Sequence, residues 1–179
     1  MFHVTKRLLL RPAWPEDAEA LFGGIADKGV VRNLARAPWP YLPEHARQFV
    51  AMEQDPQMPS FLLTLPGSDG SRIIGGAGLG DSGSGVELGY WIARPYWGRG
   101  YATEAARGVL EVARLLGHER IEGGHFVDNP ASGKVLRKLG FRPTGKTVRR
   151  HSCGRGEEAD CMTYLLDLAA DNGPSLQAA

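Results

Sequence analysis

The chain has 179 residues, enough for one domain and too few for two ordinary ones. Apolar residues make up 42% and charged residues 23%, a balance that excludes a disordered chain. With a formal net charge of +1 there is no global field to draw the protein to nucleic acid or anionic lipid.

Thr5 to Arg11 reads as a strand stopped by Pro12. Pro15-Glu16-Asp17 opens a helix, since proline suits a first turn and acids favour its positive end. Ala18, Leu21, Phe22 and Ile25 keep helical spacing. Residues 33–43 carry Pro38, Pro40 and Pro43 around Trp39 and Tyr41, which predicts a loop with exposed aromatics. A second helix is expected from Glu44 to Glu53. Phe61 to Leu65 and Arg72 to Leu79 read as strands joined by the turn Pro66–Gly70, and Asp81–Gly85 turns into a strand from Val86 to Ile92. The strongest helical pattern runs from Ala102 to Leu116 and stops at Gly117. A short strand from Arg120 to Val127 follows, then a helix from Pro130 to Leu139 with Gly140 past its end. Phe141 to Arg150 and Ala159 to Leu168 are expected to close the sheet around the turn Gly154-Arg155-Gly156. The domain is expected to span residues 1–170, with 171–179 a frayed tail.

Cys153 and Cys161 match no zinc spacing and have no second pair beside them, so no metal site is expected. The Leu8-Leu9-Leu10 run is too short for a secretion signal, and no apolar stretch approaches the roughly 18 residues of a membrane helix. These features predict a cytoplasmic protein with reduced thiols.

The unit from Glu87 to Leu116 carries most of the functional information. A strand ends near Ile92, a loop rich in small residues follows, and a strong helix begins. Such a helix start presents unpaired N–H groups at the positive end of its dipole. Gly98 and Gly100 let a ligand approach the backbone where a Cβ would exclude it, and Arg94 and Arg99 add positive charge. This describes a phosphate site, and equally a tight turn whose glycines satisfy geometry alone. It is neither a Walker loop, which needs Gly-Lys-Ser/Thr, nor a G-x-G-x-x-G turn, because Thr103 replaces the third glycine. Asn129-Pro130-Ala131-Ser132 opens the next helix and is explicable by capping alone. Glu87 shares a strand face with Gly89 and Trp91 and is either a solvated edge carboxylate or a base facing a cleft.

Taken together these segments resemble the GNAT acetyltransferase superfamily, and within it the ribosomal-protein N-terminal (alanine/serine) acetyltransferases. The residues that carry the resemblance are Lys6–Pro12, Glu87–Ile92, Tyr96–Ala105, Asn129–Ser132 and Leu139-Gly140-Phe141, in matching order and spacing over most of the chain. The resemblance implies one α/β (α+β) domain: a mixed, mostly antiparallel twisted sheet of about seven strands flanked by about four helices. It implies acetyl-CoA as acetyl donor, a primary amine as acceptor, and no metal or nucleic acid. A homodimer is compatible with it.

By the same resemblance, the pyrophosphate would lie on Gly98, Arg99, Gly100, Tyr101, Ala102 and Thr103. The pantetheine arm would pair with the backbone of Trp91, Ile92 and Ala93, Asn129 would reach that arm, and Lys134 would touch the phosphates or adenine. The family loop is usually Gln/Arg-x-x-Gly-x-Gly/Ala; here Trp97 stands in the Gln/Arg place. Many relatives protonate the departing thiolate with a tyrosine where this chain has Leu136; Ser132, one turn earlier, is the candidate that would instead hydrogen-bond the sulfur. Glu87 is the candidate general base, and Trp39 and Tyr41 are candidates for acceptor binding. With one obvious carboxylate, the site leans toward an α-amine acceptor, because deprotonating a lysine costs roughly 3–4 kcal/mol more at neutral pH. The alternative is a non-catalytic acyl-CoA-binding sensor.

Overall fold

A computed structural model describes residues 1–67 and 70–169. The expected tail at 171–179 and the centre of the turn between Pro66 and Gly70 lie outside the described residues.

The first expected strand is instead a hairpin, β1 (His3–Val4) and β2 (Leu9–Arg11). The reason lies far away in sequence. The Arg7 amide and Nε each donate to the Glu104 carboxylate at 2.6 Å, which pulls residues 5–8 out of line into a turn closed by Thr5 N–H to Leu8 O.

Pro15–Asp17 forms one 3₁₀ turn leading into α1 (Ala18–Ile25), and a short α2 (Lys28–Val31), unforeseen in the sequence, is capped by Asp27. Then follow α3 (Pro43–Ala51), β3 (Ser60–Gly67), β4 (Gly70–Asp81) and β5 (Val86–Ile92). The major helix α4 is Tyr101–Leu115. The chain closes with β6 (Arg120–Phe126), α5 (Pro130–Lys138), β7 (Arg142–Ser152) and β8 (Glu157–Asp167). The described residues thus hold eight strands and five α-helices around one sheet.

The strand order is β1-β2-β3-β4-β5-β6-β8-β7. Every pairing is antiparallel except β5 with β6, which is parallel and has a single register pair, Glu87 with Glu122. Beyond that pair the strands part, leaving a gap along β5 from Leu88 to Ile92.

Alternation along β5 sends its side chains to two cores. Leu88 and Ile92 join Val109, Leu110 and Leu136 beneath α4 and α5, while Trp91 packs with Leu21, Ile25 and Val31 under α1 and α2. Each fully buried Leu or Val contributes about 1.5–3 kcal/mol, so these faces fix the register of β5 and hold its gap-side edge in place. A one-residue slip would bury Glu87 under α4.

The β7–β8 hairpin folds back onto the first half of the chain. Ser152 Oγ donates to Leu34 O and Cys153 N–H to Ala35 O, each at 2.8 Å. Asp128 accepts from Arg155 at 2.7 and 2.9 Å and from Arg32 at 2.6 Å.

Candidate active site

The site begins with the end of β5. Ala93 N–H donates to Ile74 O, and the β4–β5 register is unbroken from there to Val86. Successive amides of a strand point to opposite edges, so those of Trp91 and Ala93 face β4. Those of Leu88, Tyr90 and Ile92 face the gap. Of the three residues expected to hold the pantetheine arm, Ile92 is therefore the one whose polar backbone turns to the gap. Its carbonyl already accepts a 2.6 Å bond from Trp97 Nε1, so the indole in the usual Gln/Arg place braces the strand end.

The loop after β5 makes one 3₁₀ turn at Arg94–Tyr96 and then uses two left-handed glycines, Gly98 at φ +74° and Gly100 at φ +80°. Gly100 is the N-cap of α4, and no side chain caps that end. A Cβ at Gly98 would meet nothing within 4 Å, and one at Gly100 only Arg7 Nη2 at 3.6 Å. The concave side of the loop is open, with Gly98, Arg99 and Gly100 exposed. Behind it Arg7 lies over the Tyr101 ring at 4.4 Å and donates to Arg99 O at 3.0 Å. Tyr101 is buried, while Ala102 and Thr103 are half-buried on the first turn of α4.

An unpaired strand edge running up to an uncapped helix start fits a peptide-like arm ending in a diphosphate. The arm would lie against Ile92 and the phosphates against residues 98–103.

On α5, Asn129 stands at the N-cap position but its side chain makes no capping bond, so the capping account of the sequence does not hold for it. Lys134 is exposed on the same helix. Ser132 Oγ lies 2.8 Å from the hydroxyl of Tyr90, which also donates to Ser132 O at 3.2 Å. Burial pushes the Tyr90 hydroxyl up to about 12, so at neutral pH it stays a protonated donor. Tyr90 went unnoticed in the sequence, although its alternation with Glu87 and Trp91 places it on the α5 face.

Glu87 is half-buried and ion-paired, which sets aside the solvated-edge setting. It stands where β5 and β6 part, and both its oxygens accept from Arg150, Oε1 from Nη1 and Oε2 from Nη2, each at 2.6 Å. Arg150 reaches it from β7 across β8 and β6, passing over Gly124. A Cβ at Gly124 would lie 3.0 Å from Cys161 Sγ and 3.4 Å from both Arg150 Nη1 and Glu87 Oε1. Hydrogen bonding to Glu87 pushes the guanidinium further above its already high value. Burial pushes the Cys161 thiol up, so it adds no charge beside the pair. Cys153 and Cys161 are both free thiols.

The two aromatics of the 33–43 loop part company. Trp39 is exposed and lines a groove of about 320 Å³ with Lys28, Arg32 and the Cys153–Glu157 turn. Tyr41 is buried, edge-on to His45 and packed in the α1–α3 core, so the expectation that it is exposed is not met. Its ring, with Leu34 and Ala37 packed against the same cluster, anchors a segment that carries three prolines. A larger groove of about 370 Å³ lies between α1, the start of β4 and Ala93–Tyr96, and no carboxylate lines it, so size does not locate the chemistry.

Residues 7–142 match the family described as the acetyltransferase (GNAT) domain. The chain belongs to the GNAT acetyltransferase family. It is 28% identical over 169 residues to the uncharacterized N-acetyltransferase YoaA of Bacillus subtilis (strain 168), covering 90% of this chain and 94% of that one. Its fold is similar to the crystal structure of a GNAT-family acetyltransferase from Bacillus anthracis, with a TM-score of 0.78 at 24% identity over 93% and 98% of the two chains. It is also similar to RimL, a ribosomal L7/L12 α-N-protein acetyltransferase in complex with coenzyme A, with a TM-score of 0.77 at 20% identity over 96% and 100%. Family membership makes the chain an acyltransferase with acetyl-CoA as its donor, and selects the enzyme over the sensor reading. Among the described residues no helix is long and apolar enough to cross a membrane.

Proposed function

We propose that the protein transfers the acetyl group of acetyl-CoA to a primary α-amine, either of a small molecule or of a protein N-terminus. The observation that carries this reading is the position of Glu87, a carboxylate at the point where β5 and β6 part, beside a strand edge whose amides face the gap. The likeness to RimL supports an N-terminal α-amine as one form of the acceptor, as the resemblance of the sequence also suggests.

The donor supplies a thioester: the amine nitrogen bonds to the carbonyl carbon, the C–S bond breaks, and coenzyme A leaves as its thiol. Tyr90 N–H, which also faces the gap and lies between Glu87 and the arm at Ile92, stabilises the negative charge that grows on the carbonyl oxygen in the transition state. Glu87 takes the amine proton directly or through one water. A carboxylate has about four acceptor positions and Arg150 fills two, so room for an N–H remains.

Ser132 donates to the departing sulfur. For this the single Tyr90 proton turns from Ser132 O to Ser132 Oγ, 2.8 Å away, which leaves the serine O–H free. The backbone of residues 98–103 holds the diphosphate, with Asn129 and Lys134 along the rest of the donor, and Trp39, on the groove beside the Cys153–Glu157 turn, is the exposed aromatic that would contact the acceptor.

The test is acetyl transfer by the Glu87→Gln variant, followed by thiol release from pH 6 to 9 with an alanine-led peptide and small amines. A general base predicts that the variant loses about 100-fold in turnover across this range. An unchanged profile removes Glu87 from the mechanism.

A further inference from the structure

Arg150 is not needed to complete the sheet, and it is not placed to touch the donor loop. It spans two strands, over the one glycine in that row that leaves room for it, to reach the candidate base. The resulting pair is open: the side chains of Glu87 and Arg150 are 21% and 31% exposed. A guanidinium has five N–H donors and Glu87 uses two. The carboxylate likewise keeps acceptor positions. Beside the pair on β5, Gly89 is exposed and a Cβ there would meet nothing within 4 Å, so nothing walls off the space in front.

From this geometry we infer that the acceptor is an amino carboxylate, a free α-amino acid whose amine docks on Glu87 and whose carboxylate docks on Arg150. The inference rests on the amine-acetylating reading above and names its substrate class. The reasoning is one of charge. Glu87 and Arg150 form a dipole of opposite charges held side by side. An acceptor carrying an ammonium and a carboxylate on one and the same carbon presents the same dipole reversed, and laid against the pair it satisfies both members at once. A simple amine or an acceptor amide satisfies Glu87 alone and leaves the remaining donors of Arg150 to water. The planar fork of arginine suits a carboxylate better than a lysine ammonium would.

The neighbouring Cys161 thiol, kept protonated by burial, offers the guanidinium only a weak acceptor beside the carboxylate of a substrate. In the reaction the docked ammonium first gives one proton to Glu87, which passes it to water, and the neutral nitrogen bonds to the acetyl carbon as the carbon–sulfur bond breaks. A second proton leaves the nitrogen and ends on the coenzyme A thiol, and an N-acetyl amino acid is released.

The experiment compares matched acceptors with acetyl-CoA, reading thiol release: L-alanine against L-alaninamide, L-serine against L-serinamide, and an alanine-led tetrapeptide. The wild type should prefer each free acid by about tenfold or more in kcat/KM. Arg150→Gln should bring that preference to within about twofold, mainly by raising KM for the acids, and Arg150→Lys should restore it in part. If Arg150→Gln does not fold, the wild-type ratios and Arg150→Lys still decide. Wild-type turnover of amides or the peptide that equals or exceeds that of the acids overturns the amino-carboxylate assignment and leaves amine acetylation standing. Failure to turn over any acceptor, with coenzyme A bound, overturns both.

Discussion

Two arginine–carboxylate pairs of nearly the same geometry stand in opposite halves of the sheet. Arg11 meets Asp17 through two bonds of 2.7 Å, and Arg150 meets Glu87 through two of 2.6 Å. The first pair is sealed, with side-chain exposures of 9% and 10%, and further contacts close around it. Arg11 Nη1 also donates to Pro12 O, the guanidinium covers the Trp14 ring at 4.0 Å, and Asp17 accepts the Trp14 amide. The second pair is a fifth to a third exposed and keeps donors and acceptors in reserve. Identical chemistry therefore serves architecture where it closes on itself and recognition where it does not. Bond length alone would not have separated the two.

The sharpest way to break this contrast is to remove one acid from each pair. Asp17→Asn leaves Arg11 buried without its counter-ion and should cost about 3–5 kcal/mol of stability. At roughly 2–4 °C per kcal/mol for a chain of this size, thermal unfolding should fall by about 6–20 °C while the molecules still folded keep their turnover. Glu87→Gln should do the reverse, with stability changing by about 1 kcal/mol or less and turnover by about 100-fold. Equal melting losses in the two variants would erase the distinction.

Gly124→Ala tests the open pair more gently. Its methyl would press on Cys161 Sγ, Arg150 and Glu87, so the pair should splay and kcat/KM fall by about tenfold, with circular dichroism unchanged.

The smallest effect is one of pH. Burial pushes the Asp17 carboxyl up, but its bonds from Arg11 and the Trp14 amide outweigh this and hold it below the ordinary value of 3.8. A depressed carboxyl stabilises the fold above the unfolded value and loses that contribution as pH falls through the folded one. Acid unfolding below about pH 4 should therefore be steeper in the wild type than in Asp17→Asn, as urea midpoints measured from pH 5 down would show.

Much of this was legible in the sequence where the cause is local. The glycine turn after β5 and α4 were, because two positive-φ glycines and an apolar face at helical spacing lie within twenty residues of each other. Arg150 was not. It is 63 residues from Glu87 in the chain, and only the insertion of β8 between β6 and β7 decides which residue of the last hairpin looks across at β5. The N-terminal hairpin was misread as one strand for a similar reason, since Glu104, 97 residues on, makes the turn at Arg7. Tyr41 was misjudged because proline-rich composition announces a loop without saying which of its rings pins it to the core. Tyr90 was missed because a tyrosine inside a strand looks like packing until α5 places Ser132 against its hydroxyl.

The lone backbone bridge between β5 and β6 has a thermodynamic consequence. The sheet is two ladders joined at one rung, and the missing rungs lie where an amide-bearing guest would sit. A ligand there does more than occupy a pocket, because it finishes the hydrogen bonding that the chain itself leaves undone. Occupancy at a hundred times the dissociation constant adds about 2.7 kcal/mol by mass action. That increment should appear in the seam, as slowed hydrogen exchange of the Leu88, Tyr90 and Ile92 amides, so the enzyme is at its most cohesive while it holds its donor.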